Sequence, residues 1–104
     1  MTDFPGKGKV AVLKTSPQTI LEDTGRLMKL AGFEEALPKN VKTGIKINIS
    51  WQTWYPACSS APWQIEGVIN TLQKAGYTDL VGVHNDTVVV NTEQVLYQLL
   101  VAPP

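Results

Sequence analysis

TGIKINISWQTWYPACSSAPWQ, residues 43–64, reads as a strand, a loop and the entry of a helix, and that succession decides the fold. The β-branched run Ile45 to Ile49, with Lys46 inside it, is the strand. The loop that follows holds Trp51, Trp54, Tyr55, Cys58, Ser59 and Ser60, and Trp63 comes just after it. These are all three tryptophans of the chain and its one cysteine. Ser60, Ala61 and Pro62 open the helix, Ile65, Val68, Ile69 and Leu72 form its apolar stripe, and Gly76 closes it. A strand that empties into an aromatic, hydroxyl-rich loop is where an α/β protein places its ligand.

Working outward, the same grammar repeats on both sides. Val10 to Lys14 (VAVLK) is a short apolar run, read as a first strand. Ser16-Pro17 supplies an N-cap and a proline at the first helical position, where the missing N–H costs nothing. Ile20, Leu21, Thr24, Leu27, Met28 and Ala31 recur at helical spacing, and Gly32 is placed to end that helix in a left-handed conformation. A connector with one helical turn at Glu34–Leu37 leads to the 45–49 strand. Asp79 to His84 (DLVGVH) is a third strand, apolar enough to be covered on both faces. Thr87 to Val90 reads as a fourth strand, and Thr92 to Val101 as a terminal helix.

The order β-α-β-α-β predicts an α/β fold, a three-layer-like unit with a mainly parallel sheet and right-handed crossovers. Residues 1–8 form a flexible lead-in and residues 9–104 a single domain. Such a unit leaves sheet edges exposed. The expectation is therefore either a piece of a larger domain, or edges and an apolar C-terminal segment covered by a second copy in a homo-oligomer.

Composition narrows the partners. Nine basic and nine acidic residues cancel over 104 residues, so electrostatic capture of nucleic acid is not expected. No apolar stretch approaches the roughly 20 residues of a membrane helix. Met1 to Lys9 is polar and lacks the apolar core of a secretory signal. A single cysteine suits a reducing cytoplasm, which is the expected location.

Parallel strands point their carboxyl ends to one edge, and ligands bind there. The residues just past each strand are Lys14, Thr15 and Ser16, then Asn48, Ser50 and Trp51, then His84, Asn85, Asp86 and Thr87. The candidate ligand-binding set is Lys46, Asn48, Trp51, Ser59, Ser60, His84, Asn85 and Asp86. Lys46 either lines a pocket near that edge or lies on a strand less buried than the pattern implies. Ser59 and Ser60 either present hydroxyls and backbone N–H groups to an anion or cap the helix.

His84 is a general base or metal ligand oriented by its neighbours, or the end of a strand entering an Asx turn. Cys58, before a helix N-terminus, is a candidate nucleophile with His84 as its base, or a small buried hydrophobe. One cysteine and one histidine cannot complete a zinc or iron–sulfur site, and no metal site is assigned. No glycine-rich phosphate loop occurs.

Lys46-Ile47-Asn48, then Ser60-Ala61-Pro62 entering a helix with Ile65, Val68 and Ile69, then Ala75-Gly76-Tyr77 before an apolar strand, resemble the domain of unknown function 362 family over residues 10–90. That family shows a similar K-x-N strand, T/S-x-P helix entry and A-G turn. Trp54 to Ser59 and Gly82 to Thr87 look like one branch of it. The resemblance implies a bacterial or archaeal α/β protein longer than this chain and of undefined activity. It also implies association with iron–sulfur clusters in some members, for which this sequence lacks the cysteines. Three functions follow as expectations: a small ligand-binding domain, part of an enzyme using redox or Cys/His chemistry, or a homodimerising module.

Overall fold

The computed structural model describes residues 3–49 and 59–84. Its elements are helix α1 (Ile20–Leu30), the short helix α2 (Phe33–Ala36), strand β1 (Thr43–Lys46), helix α3 (Pro62–Lys74) and strand β2 (Leu80–Val83). The strands are parallel, in register Thr43 to Leu80 through Lys46 to Val83, and α3 makes the crossover between them. One further ladder bond, from the Ile47 N–H to the Val83 carbonyl at 2.9 Å, extends the pairing past Lys46. The expected α/β class with a parallel sheet is what forms.

The helices end where the sequence places their stops. Gly32 and Gly76 follow α1 and α3 with φ of 77° and 96°, a conformation a side chain would strain. The Tyr77 N–H then turns back to the Leu72 carbonyl at 3.0 Å. At the front of α1 the expectation fails by three residues. Ser16 and Pro17 do not begin the helix; they form a turn closed by the Thr19 N–H on the Ser16 carbonyl at 3.1 Å. The reason is local competition. The Ser16 hydroxyl engages the Thr19 hydroxyl at 2.9 Å instead of capping the backbone.

Val10 to Lys14 is the second departure. Among the described residues the sheet has two strands, β1 and β2, and the 10–14 segment is outside it. The alternation survives, since Ala11 and Leu13 are half-buried while Val10 and Val12 are 87% and 81% exposed. No hydrogen bond joins this backbone to β1 or β2. Period-two sidedness without a ladder is not a strand.

One core joins all five elements. Phe33, Leu72 and Tyr77 are its buried centre, with Met28, Ile45, Val68, Ala75 and Leu80 packed around them. Tyr77, at 1% exposure, is the most enclosed side chain. Its ring lies 5.9 Å from Phe33, and its hydroxyl donates to the Leu37 carbonyl at 2.7 Å. Thr43, Ile45 and Leu80 face this core, while Gly44, Lys46, Val81 and Val83 are exposed. Among the described residues the sheet is thus open on one face where coverage of both was expected, and Lys46 is exposed.

Helices α1 and α3 meet through small residues. A Cβ added to Gly67 would fall 2.8 Å from both Cβ and Oγ1 of Thr24, and one on Gly25 would fall 3.0 Å from Thr71 Oγ1. Both threonine hydroxyls bond back within their own helices, Thr24 to Ile20 at 2.8 Å and Thr71 to Gly67 at 2.7 Å. The contact therefore buries no unpaired donor.

Candidate functional site

The register brings the carboxyl ends of β1 and β2 together and carries His84, one residue past β2, to the level of Ile47. Asn48 and Ser60 meet there across the loop that separates them. The Ser60 N–H donates to the Asn48 carbonyl at 2.8 Å, and the Asn48 N–H donates to Ser60 Oγ at 2.9 Å. This reciprocal pair fixes the entry of α3 beside the end of β1. It also occupies the Ser60 hydroxyl, which does not cap α3. The Gln64 side chain does so, its Oε1 accepting from the Ala61 N–H at 2.9 Å, with Pro62 in the first turn.

Lys46 is exposed, and its ammonium donates to the Ile47 carbonyl at 3.0 Å. Of its two sequence readings, the less-buried strand is the one realised. His84 is also exposed, and Ser59 half-buried. Trp51, Cys58, Asn85 and Asp86, together with Ser50, the 87–90 strand and the 92–101 helix, lie outside the described residues. No group of three or more His, Cys, Asp or Glu side chains is placed to hold a metal among the described residues. An iron–sulfur cluster asks for about four cysteine thiolates. The chain has one cysteine, so the ligand set does not fit that group.

The best-formed polar cluster is one the sequence reading passed over. Asp23 is buried in α1, its side chain 8% exposed. Its Oδ2 accepts from the hydroxyls of Thr15 and Thr19, both at 2.7 Å, and its Oδ1 from Arg26 Nη1 at 2.9 Å. The Thr19 hydrogen is committed to Asp23, so Ser16, 2.9 Å from the Thr19 oxygen, must be the donor of that pair. Two hydroxyl hydrogens thus reach one carboxylate, and a third, from Ser16, points to the Thr19 oxygen behind them. The signal was present as Thr15, Thr19 and Asp23 at four-residue spacing, with Arg26 three residues on.

The hydroxyls of Thr19 and Thr15, and then Arg26, hold the Asp23 carboxyl below its ordinary value of 3.8, against a smaller opposing effect of burial. A depressed folded-state pKa contributes stability in full above the unfolded value and loses it as pH falls through the folded one. Acidification from about pH 5 to about pH 2.5 should therefore destabilise the wild-type chain more than Asp23→Asn. Urea unfolding at the two pH values checks this. Equal losses in both chains would remove Asp23 as the acid-sensitive anchor.

A cleft of about 500 Å³ is lined by Thr15, Ser16, Pro17 and Ile20 at the front of α1 and by Trp63 in the first turn of α3. Trp63 stands three residues past Ser60 and is 54% exposed. A second hollow of about 490 Å³ lies between α1 and α3, lined among others by Arg26, Lys29, Asn70, Thr71 and Lys74. Lys29 and Lys74 sit in the last turns of α1 and α3, where a cation complements the helix dipole. Those carboxyl-terminal helix ends oppose an anion there, and the lysines have a structural role without a ligand.

No family model, curated protein or solved structure matches the chain. Among the described residues no helix is long and apolar enough to cross a membrane.

Proposed function

We propose that this chain is a cytoplasmic, small-molecule-binding α/β domain of the domain of unknown function 362 type, with its site at the carboxyl edge of the sheet. The observation that carries the reading is the apolar cleft lined by Trp63 of α3, the helix whose entry the reciprocal Asn48–Ser60 pair holds to the end of β1. Ligands of parallel α/β folds bind at that edge. Lys46, Asn48, Ser60 and His84 lie at the carboxyl ends of β1 and β2 and at the entry of α3, the helix that supplies Trp63 to the cleft. The family reading draws support from its three motifs, which fall at three structural junctions. Lys46-Ile47-Asn48 ends β1, Ser60-Ala61-Pro62 opens α3, and Ala75-Gly76-Tyr77 turns from α3 toward β2.

The test is a fragment screen on the ¹⁵N-labelled full chain. Binding fragments should move the amide signals of Thr15, Ser16, Asn48, Ser60, Trp63 and His84 together. Fragments that gather instead on Lys29, Asn70 and Lys74, or that move no signal at the carboxyl edge, would overturn the proposal.

A further inference from the structure

The cleft's wall has a chemical polarity that selects among ligands. Resting on the carboxyl-edge reading above, we infer that its ligand is a neutral, flat aromatic molecule carrying a ring N–H donor, and that anions are rejected. Four observations carry this. Pro17, Ile20 and Trp63 supply the apolar lining, and an exposed tryptophan beside a proline offers a face for stacking. The two hydroxyl side chains among the described lining residues, Thr15 and Ser16, have turned their hydrogens away. Thr15 donates to Asp23 at 2.7 Å in preference to the Ser16 carbonyl at 3.5 Å, and Ser16 donates to Thr19. What those two hydroxyls can present to a ligand is lone pairs, so at Thr15 and Ser16 the described lining accepts hydrogen bonds, while Trp63 contributes its face and its indole N–H.

The charge behind the wall acts in the same direction. The Asp23 carboxylate lies one hydrogen bond behind Thr15, and Glu22 and Asp23 already occupy the first turn of α1. An incoming anion would therefore meet negative charge at the helix end that would otherwise attract it. A neutral N–H donor meets the lone pairs of Thr15 and Ser16.

Three probes separate the possibilities on the ¹⁵N-labelled full chain: indole, indole-3-carboxylate and inorganic phosphate. Indole should shift Thr15, Ser16, Ile20 and the Trp63 side-chain N–H. Indole-3-carboxylate should bind at least about fivefold more weakly, and phosphate should leave these signals in place. Trp63→Ala should weaken indole binding about tenfold or more while its spectrum elsewhere stays folded, since the side chain is largely at the surface. If the carboxylate or phosphate binds these residues as tightly as indole, the ligand class is wrong and the site reading survives. If none of the three probes nor any screened fragment moves them, both fail. The wild-type comparison decides the ligand class even if Trp63→Ala does not fold.

Discussion

Tyr77→Ala should lower the unfolding free energy by about 3–5 kcal/mol, the usual cost of deleting a buried aromatic side chain. Domains of this kind have about 5–15 kcal/mol in total, so the variant should be partly unfolded at room temperature. The size of the effect follows from position. Tyr77 lies between the end of α3 and β2, stacks on Phe33 of α2, and reaches Leu37 in the connector before β1. The Lys39 ammonium lies 5.6 Å from its ring centroid and adds a cation–π contact from the same connector. Truncation would open a cavity where those segments converge. Tyr77→Phe keeps the ring and removes only the bond to the Leu37 carbonyl, so about 1 kcal/mol is expected. Chemical denaturation of the three chains measures the ladder. A Tyr77→Ala loss as small as that of Tyr77→Phe would show that the ring is not the keystone of the core.

Gly67→Ala is the second large effect, and its sign is opposite to helix propensity. Alanine in mid-helix is favoured over glycine by about 1 kcal/mol. Here the new methyl would meet Thr24 at 2.8 Å from its Cβ, an atom no rotamer change can withdraw. The helices must separate, and overpacking of this kind costs about 1–3 kcal/mol, so a net loss is expected. Gly25→Ala is the internal control. Its closest neighbour is the Thr71 hydroxyl at 3.0 Å, a group that can rotate, and its loss should be clearly smaller. Pairing Thr24→Gly with Gly67→Ala restores the space and should recover part of the loss, read as a coupling in a double-mutant cycle. Independent, additive effects would mean that the helices do not meet at these residues.

These two positions also mark where sequence reasoning reaches and where it stops. Helix existence was legible because Ile65, Val68, Ile69 and Leu72 repeat at helical spacing and because Gly32 and Gly76 suit a left-handed stop. The parallel sheet followed from the alternation of strand and helix. Three things were not legible for physical reasons. A run such as Val10–Lys14 carries a strand's sidedness, but pairing depends on a neighbour's backbone, which no local pattern encodes. The start of α1 was misplaced because Ser16 had two partners to choose from, and the Thr19 side chain won over the backbone. Coverage of the sheet was overestimated because an apolar strand reads alike whether one face or two are packed.

The candidate site was legible by topology and less so by chemistry. Asn48 and Ser60 lie together past the end of β1, where they hold each other, and Lys46 turns to a backbone carbonyl. Asp23 was missed because a lone acidic residue in the first turn of a helix reads as a dipole complement. Its burial comes from Thr15 folding back over it, a contact between segments.

The Asn48–Ser60 pair has a consequence for how such a domain diversifies. Two short hydrogen bonds tie Asn48 to Ser60 on either side of residues 49–59, and Ile49 at the start of that stretch is itself buried. Closing a longer loop costs little, about 0.6 kcal/mol for each doubling of its length. The tie holds strand and helix in one relation while the length of chain between Ile49 and Ser59 changes at that small cost. The tie behaves as a socket, in which selection can replace the recognition element without rebuilding its mount.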